Sequence, residues 1–146
     1  EISACLVGSE MCIRDSDHIG YNYRMPNINA ALGCAQLENL DRYVADKRET
    51  AARYVEFFKG KEDITFFTEP ADCKSNYWLN AVVLKDKAAQ LDFLEYTNDH
   101  GVMTRPVWEL MNRLPMFEHC ETDGLENTEW LADRVVNIPS SVRLDK

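Results

Sequence analysis

The feature that most constrains this chain is a helix with almost no bulk along it. Ala30, Ala31, Gly33, Cys34 and Ala35 fall within one short segment opened by Pro26. Proline is tolerated in a first helical turn because that N–H has no intrahelical partner. A helix this slim is expected to have something against its backbone, either another helix or another subunit. Ile28, Ala31, Leu32 and Ala35 supply the i, i+3, i+4, i+7 spacing of one buried face. Ahead of the helix, Gly20 permits a sharp turn. Asn22, Tyr23 and Arg24 then set an amide, a phenol and a guanidinium side by side. Two readings of this trio are open. Either they grip phosphate or carboxylate oxygens, Arg bidentately, or they cap neighbouring backbone, as Asn in loops commonly does.

Composition narrows the classes. The chain has 146 residues, room for one ordinary domain or a piece of a larger one. A hydrophobic content of 45% is enough for a core. The net charge of −9 leaves no basic footprint for nucleic acid or an anionic membrane. An anionic small ligand would therefore need local cations, and Arg24, Arg105 and Arg113 are the candidates. Five cysteines without a Cys-x-x-Cys pair point to reduced thiols and a cytoplasmic setting. No apolar run reaches the roughly 18 residues of a membrane span. His18, His100 and His119 lack metal-ligand spacing, so no metal site is expected.

The chain reads in three parts. Residues 1–16 show no helical or strand period and resemble a translated adapter, a non-native or disordered leader. Residues 17–60 carry one helix from about Pro26 to Asp41 and a second from about Arg42 to Lys59. The second has an apolar stripe of Val44, Ala51, Val55 and Phe58, and Gly60 stops it. Its run Asp46-Lys47-Arg48-Glu49 reads as solvated charge, like Glu121 to Glu129. Residues 61–146 predict strands at Ile64–Phe67, Asn76–Leu84, Val102–Thr104 and Val135–Ile138. Tyr77, Leu79, Ala81 and Val83 share one face of the second strand, and Trp78, Asn80 and Val82 the other. A helix over Lys87–Asn98 puts Ala88, Leu91 and Leu94 on one side, a turn or two of helix falls at Glu109–Arg113, and Asn127 caps a helix to Arg134. The layout is a small α+β layer, helices on one face of a mostly antiparallel sheet.

A family resemblance adds to this reading. Gly20-Tyr21-Asn22-Tyr23-Arg24-Met25, then Asn29-Ala30-Ala31-Leu32-Gly33 and Gln36-Leu37, resembles the DegT/DnrJ/EryC1/StrS family of pyridoxal-phosphate-dependent nucleotide-sugar aminotransferases. Ser75 to Leu79, Gly101 to Pro106 and Asn137 to Ser141 support the likeness. It implies the C-terminal part of a fold-type-I aminotransferase, a helical connector leaving the cofactor domain and then the small domain. The runs Thr104 to Trp108 and Leu114 to Phe117 look closest to the legionaminic-acid branch, which acts on a UDP-linked 4-keto sugar.

The resemblance also implies roles. Asn22 would reach across a homodimer to the phosphate of pyridoxal 5'-phosphate, with Tyr23 walling the pocket. Arg24 would hold the carboxylate of the amino donor, glutamate, or the cofactor phosphate. Arg105 would pair with the diphosphate of a nucleotide-sugar and Trp108 would stack on sugar or base. On residues alone core packing is the simpler account of Trp108, whereas binding and burial stand level for Trp78, beside Asn76 and Asn80. The family's Schiff-base lysine lies upstream of the Gly-Tyr-Asn-Tyr-Arg motif, and no lysine precedes Asp17. The expectation is a fragment cut at both ends, inactive alone and without a catalytic residue of its own. Rival readings are a free-standing, non-catalytic α+β binding module and a sister enzyme using a GDP- or dTDP-linked sugar.

Overall fold

A computed structural model describes residues 25–143. The expected leader and the Asn22–Arg24 loop lie outside the described residues. Helix α1 spans Asn27–Leu37 and α2 Leu40–Phe58. Strand β1 is Ile64–Phe66, β2 Asn80–Leu84, and helix α3 is Lys87–Asp99. Strand β3 is Arg105–Pro106, followed by 3-10 turns at Met111–Arg113 and Pro115–Phe117. Helix α4, Glu126–Ala132, leads into β4, Val135–Ile138. The sheet runs β1-β2-β4-β3, and every neighbouring pair is antiparallel. Among the described residues no helix is long and apolar enough to cross a membrane.

Alternation along β2 and β4 builds the core. Val82 and Val136 lie opposite each other and are fully buried, with Phe66, Leu84 and Ile138 beside them. Burying each valine contributes about 1.5–3 kcal/mol. Helices α2 and α3 cover this same face, through Ala51, Tyr54 and Phe58 and through Ala89, Phe93 and Leu94. Rings of Tyr54, Phe58, Phe66 and Tyr77 meet at centroid separations of 5.8 to 6.5 Å. The expected layer of helices on one sheet face is therefore what forms.

Local details depart from the sequence expectations for physical reasons. Pro26 is the N-cap of α1 rather than a residue of its first turn. The break between α1 and α2 falls at Glu38–Asn39, where Asn39 turns its amide back to the Ala35 carbonyl at 3.1 Å. No residue of α1 is buried, and a Cβ on Gly33 would meet nothing within 4 Å. The face predicted to be buried is open, with Ile28 82% and Leu32 61% exposed. On α2 Val55 is exposed and Tyr54 packs instead.

Strand β2 starts at Asn80, because Tyr77 sits at φ +47° and reverses the backbone before it. That left-handed residue sends the Tyr77 ring, not Trp78, onto the core. The Asn80 amide is fully buried and neither of its polar atoms has a hydrogen-bond partner. On α3 the buried side is Ala89, Gln90, Phe93 and Leu94, whereas Ala88 and Leu91 are exposed. Asp86 caps this helix, accepting the Ala89 N–H at 2.8 Å. Buried Gln90 donates to the Ala132 and Val135 carbonyls, both at 2.9 Å, and so ties α3 to the start of β4.

Val102 to Thr104 is not a strand. Asn98 on α3 donates to the Thr104 carbonyl at 3.1 Å, and the Thr97 and Thr104 hydroxyls meet at 2.6 Å. The first bond occupies a backbone carbonyl that a ladder would use, and the second holds the segment against α3. Pairing starts only at Arg105 and includes Pro106, which is tolerated because β3 is an edge strand. Asn127 lies inside α4, whose N-cap is Leu125 at φ +55°, and the helix ends at Ala132 rather than Arg134.

Candidate functional site

The run Asp46 to Glu49 is not solvated charge. It is the fastening of α2 to the loops around the sheet. Arg48 donates to both oxygens of Glu69, at 3.0 and 2.7 Å, and to the Ser75 carbonyl. The Ser75 N–H returns a bond to Glu69, and the Glu69 N–H reaches the Tyr77 hydroxyl at 3.3 Å. The Arg48 guanidinium lies 5.5 Å from the Tyr77 ring centroid. The bonds from Arg48, then the Ser75 N–H, hold the Glu69 carboxyl down at about 2. Arg143 reaches Asp46 at 2.7 Å and Glu49 at 3.2 Å, and these partners raise its pKa, the Asp46 hydrogen bond most.

Lys47 lies between these two clamps. Its ammonium donates to the Ser140 carbonyl at 2.6 Å and to the Trp78 carbonyl at 3.3 Å. Ser140 in turn accepts the Asn80 N–H at 2.7 Å and donates its hydroxyl to the Ile138 carbonyl at 2.7 Å. Two short turns set the Trp78 loop. Tyr77 N–H goes to Ser75 Oγ at 2.9 Å, and Trp78 N–H to Asn76 Oδ1 at 3.0 Å.

These loops wall an open groove of about 350 Å³, lined by Lys47, Trp78, Met103, Arg105, Asn137 and Ser140 among others. Among the described residues no carboxylate lines it, and the two charged residues that do are both cations. Trp78 is 66% exposed, so core packing does not account for it. Arg105 is exposed, and its guanidinium contacts the Met103 sulfur at 3.3 Å rather than a carboxylate. In a chain of net charge −9 this groove is a local positive spot with an aromatic platform. That combination suits a flat, anionic ligand.

The expected site residues divide. Trp78 and Arg105 come together in the groove. Asn76 is exposed and spends its side-chain oxygen on the turn that presents Trp78. Trp108 is exposed rather than packed in the core, and it lines a separate cleft of about 60 Å³ with Lys87, Glu109 and Asp133. Arg113 faces Glu109 at 3.4 Å and Glu129 at 3.9 Å, so its charge is already answered. Asn22, Tyr23 and Arg24 lie outside the described residues. Standing in a charge run, Lys47 is not among the residues expected at the site. Its signal is positional, since Lys47, Ala51, Tyr54 and Phe58 are spaced i, i+4, i+7, i+11 on one helix face.

Several lysines among the described residues already have partners. Lys47 is bonded to two carbonyls, Lys87 to Gln90 and Asp133, and Lys59 lies beside Glu56. No group of three or more metal-ligating side chains occurs among the described residues.

Residues 6–146 match the sequence profile of the DegT/DnrJ/EryC1/StrS aminotransferase family. The chain is 32% identical over 126 residues to the GDP-perosamine synthase of Escherichia coli O157:H7, across 85% of this chain and 33% of that protein. The crystal structure of the sugar aminotransferase CalS13 from Micromonospora echinospora superposes with a TM-score of 0.69 at 26% identity, covering 84% of this chain and 32% of that one. PseC of Helicobacter pylori, at 21% identity, shares the fold with a TM-score of 0.75 over 88% of this chain and 35% of its own. The chain spans about a third of the length of the curated relatives it matches.

Proposed function

We propose, from the fact that the chain belongs to the DegT/DnrJ/EryC1/StrS aminotransferase family, that it is the C-terminal segment of a pyridoxal-phosphate-dependent enzyme that aminates a nucleotide-linked keto-sugar. Residues 17–60 are then the connector from a cofactor domain and residues 61–146 the small domain. The observation that carries the reading is the groove, where among the described residues no carboxylate appears, with Trp78 as platform and Arg105 as the ligand-facing cation. Trp78 stacks on base or sugar, and Arg105 pairs with the diphosphate.

Asn22 contacts the cofactor phosphate across a homodimer, Tyr23 walls that pocket, and Arg24 holds the carboxylate of glutamate or the same phosphate. When bound, the cofactor supplies the electron sink that lets an amine move from donor to sugar. No step is assigned to a described lysine. The sugar is read as a UDP-linked 4-keto derivative aminated at C4, on the runs Thr104 to Trp108 and Leu114 to Phe117, for surface-polysaccharide or nonulosonic acid synthesis in the cytoplasm. A GDP-linked sugar is the second reading, favoured by the likeness to a GDP-perosamine synthase. A non-catalytic module is not supported, since the profile matched belongs to aminotransferases.

The test offers UDP-, GDP- and dTDP-linked 4-keto sugars, with glutamate and pyridoxal phosphate, to the full-length protein. Aminated UDP-sugar by mass is the expected product, and preference for the GDP-sugar selects the second reading. Absence of amination with all three overturns the enzyme reading. In the same protein Asn22→Ala is expected to weaken cofactor binding, and unchanged affinity would remove Asn22 from the site.

A further inference from the structure

We propose that Lys47 is the positioning residue of the groove, an ammonium that bonds both walls and sets the Trp78 carbonyl against that of Ser140. The proposal rests on reading the groove as the nucleotide-sugar subsite. One wall is the loop ending in Trp78, the other the segment from Pro139 to Ser141 that follows β4. Each wall has fastenings of its own to α2. Arg48 and Glu69 hold the backbone at Ser75, and the Tyr54 hydroxyl donates to the Pro139 carbonyl at 3.0 Å. Asp46 holds Arg143 beyond the second wall.

Lys47 differs from all of these, because it donates to both walls at once, at Trp78 and at Ser140. Three N–H groups on one ammonium permit this, and among the described residues their acceptors are carbonyl oxygens. No carboxylate ion-pairs with Lys47 among the described residues, so its charge is not spent on a partner that would pull it aside. Ser140 extends the tie into the sheet through the Asn80 N–H and the Ile138 carbonyl. The Trp78 platform is thereby registered against strand β4, and Asn137 beside it pairs with Arg105 across the sheet. Trp78 and Arg105 are set by one helix position that need not touch the ligand's reacting atoms.

The consequence is a selective one. A stacking platform and a guanidinium act together only at a fixed spacing, and loss of the tie weakens the bound geometry of the sugar nucleotide alone. The experiment uses the full-length protein with cofactor and compares Lys47→Met, Lys47→Gln and Lys47→Arg, with Trp78→Ala and Arg105→Ala as references. Lys47→Met and Lys47→Gln are expected to raise KM for the nucleotide-sugar by about tenfold with kcat nearly constant. The amino-donor half-reaction, followed by cofactor absorbance, stays at the parent rate. Lys47→Arg, whose fork reaches two carbonyls, restores KM.

If Trp78→Ala and Arg105→Ala raise KM while Lys47→Met and Lys47→Gln do not, the positioning role is overturned and the subsite stands. If Trp78→Ala and Arg105→Ala leave KM unchanged, the subsite reading fails and the inference fails with it. A fall in both half-reactions together, or no rescue by Lys47→Arg, reduces Lys47 to a structural residue and also overturns the proposal.

Discussion

Helices α1 and α2 follow one another with two residues between them, yet they are held by opposite means. Helix α1 has the apolar spacing of a packed helix and buries nothing among the described residues. Helix α2 carries a dense charge run and is fixed at both ends, by Ala51, Tyr54 and Phe58 toward the core and by Asp46, Lys47 and Arg48 toward the loops. Periodicity states which face of a helix is able to pack. It does not state whether a partner is there, nor that a charged residue must face water.

The largest way to break the contrast is to remove what α2 packs on. Phe66→Ala takes away a ring that meets Tyr54, Phe58 and Tyr77, and unfolding in denaturant should show a loss of about 3–5 kcal/mol. A smaller effect tests the charged end. Glu69 titrates at about 2 in the fold, below its ordinary 4.5. A carboxyl depressed on folding contributes stability above its unfolded pKa and loses it as pH falls through the folded one. Melting temperature should therefore drop between about pH 4.5 and pH 2, and Glu69→Gln should flatten that limb. An unchanged limb would mean that the Arg48 pair is not formed in solution. The smallest effect belongs to α1. Ile28→Ser should change the stability of the 146-residue chain by no more than about 0.5 kcal/mol, as for an exposed site away from packing. A larger loss in the full-length protein would show that this face is covered there.

Much of the fold was legible because local chemistry and burial agree. Strand β1 follows from its β-branched and aromatic residues and the second half of β2 from alternation, and Gly60, at φ +76°, stops its helix as expected. Two of the failures share a cause, a side chain competing for backbone. Thr97 and Asn98 hold Thr104 out of the sheet, and Ser75 and Asn76 turn the chain ahead of Asn80. For the groove, Trp78 and Arg105 were legible through family likeness. Lys47 was not, because a lysine in a polar run gives no sign of two carbonyls brought to it from 31 and 93 residues away.

The two-residue strand β3 bears on how this molecule meets others. With a proline as half its length, that border offers at most one backbone N–H to an incoming chain. The sheet is a poor template for fibre-like extension on the side where Arg105 stands, and association there depends more on side chains than on a backbone ladder.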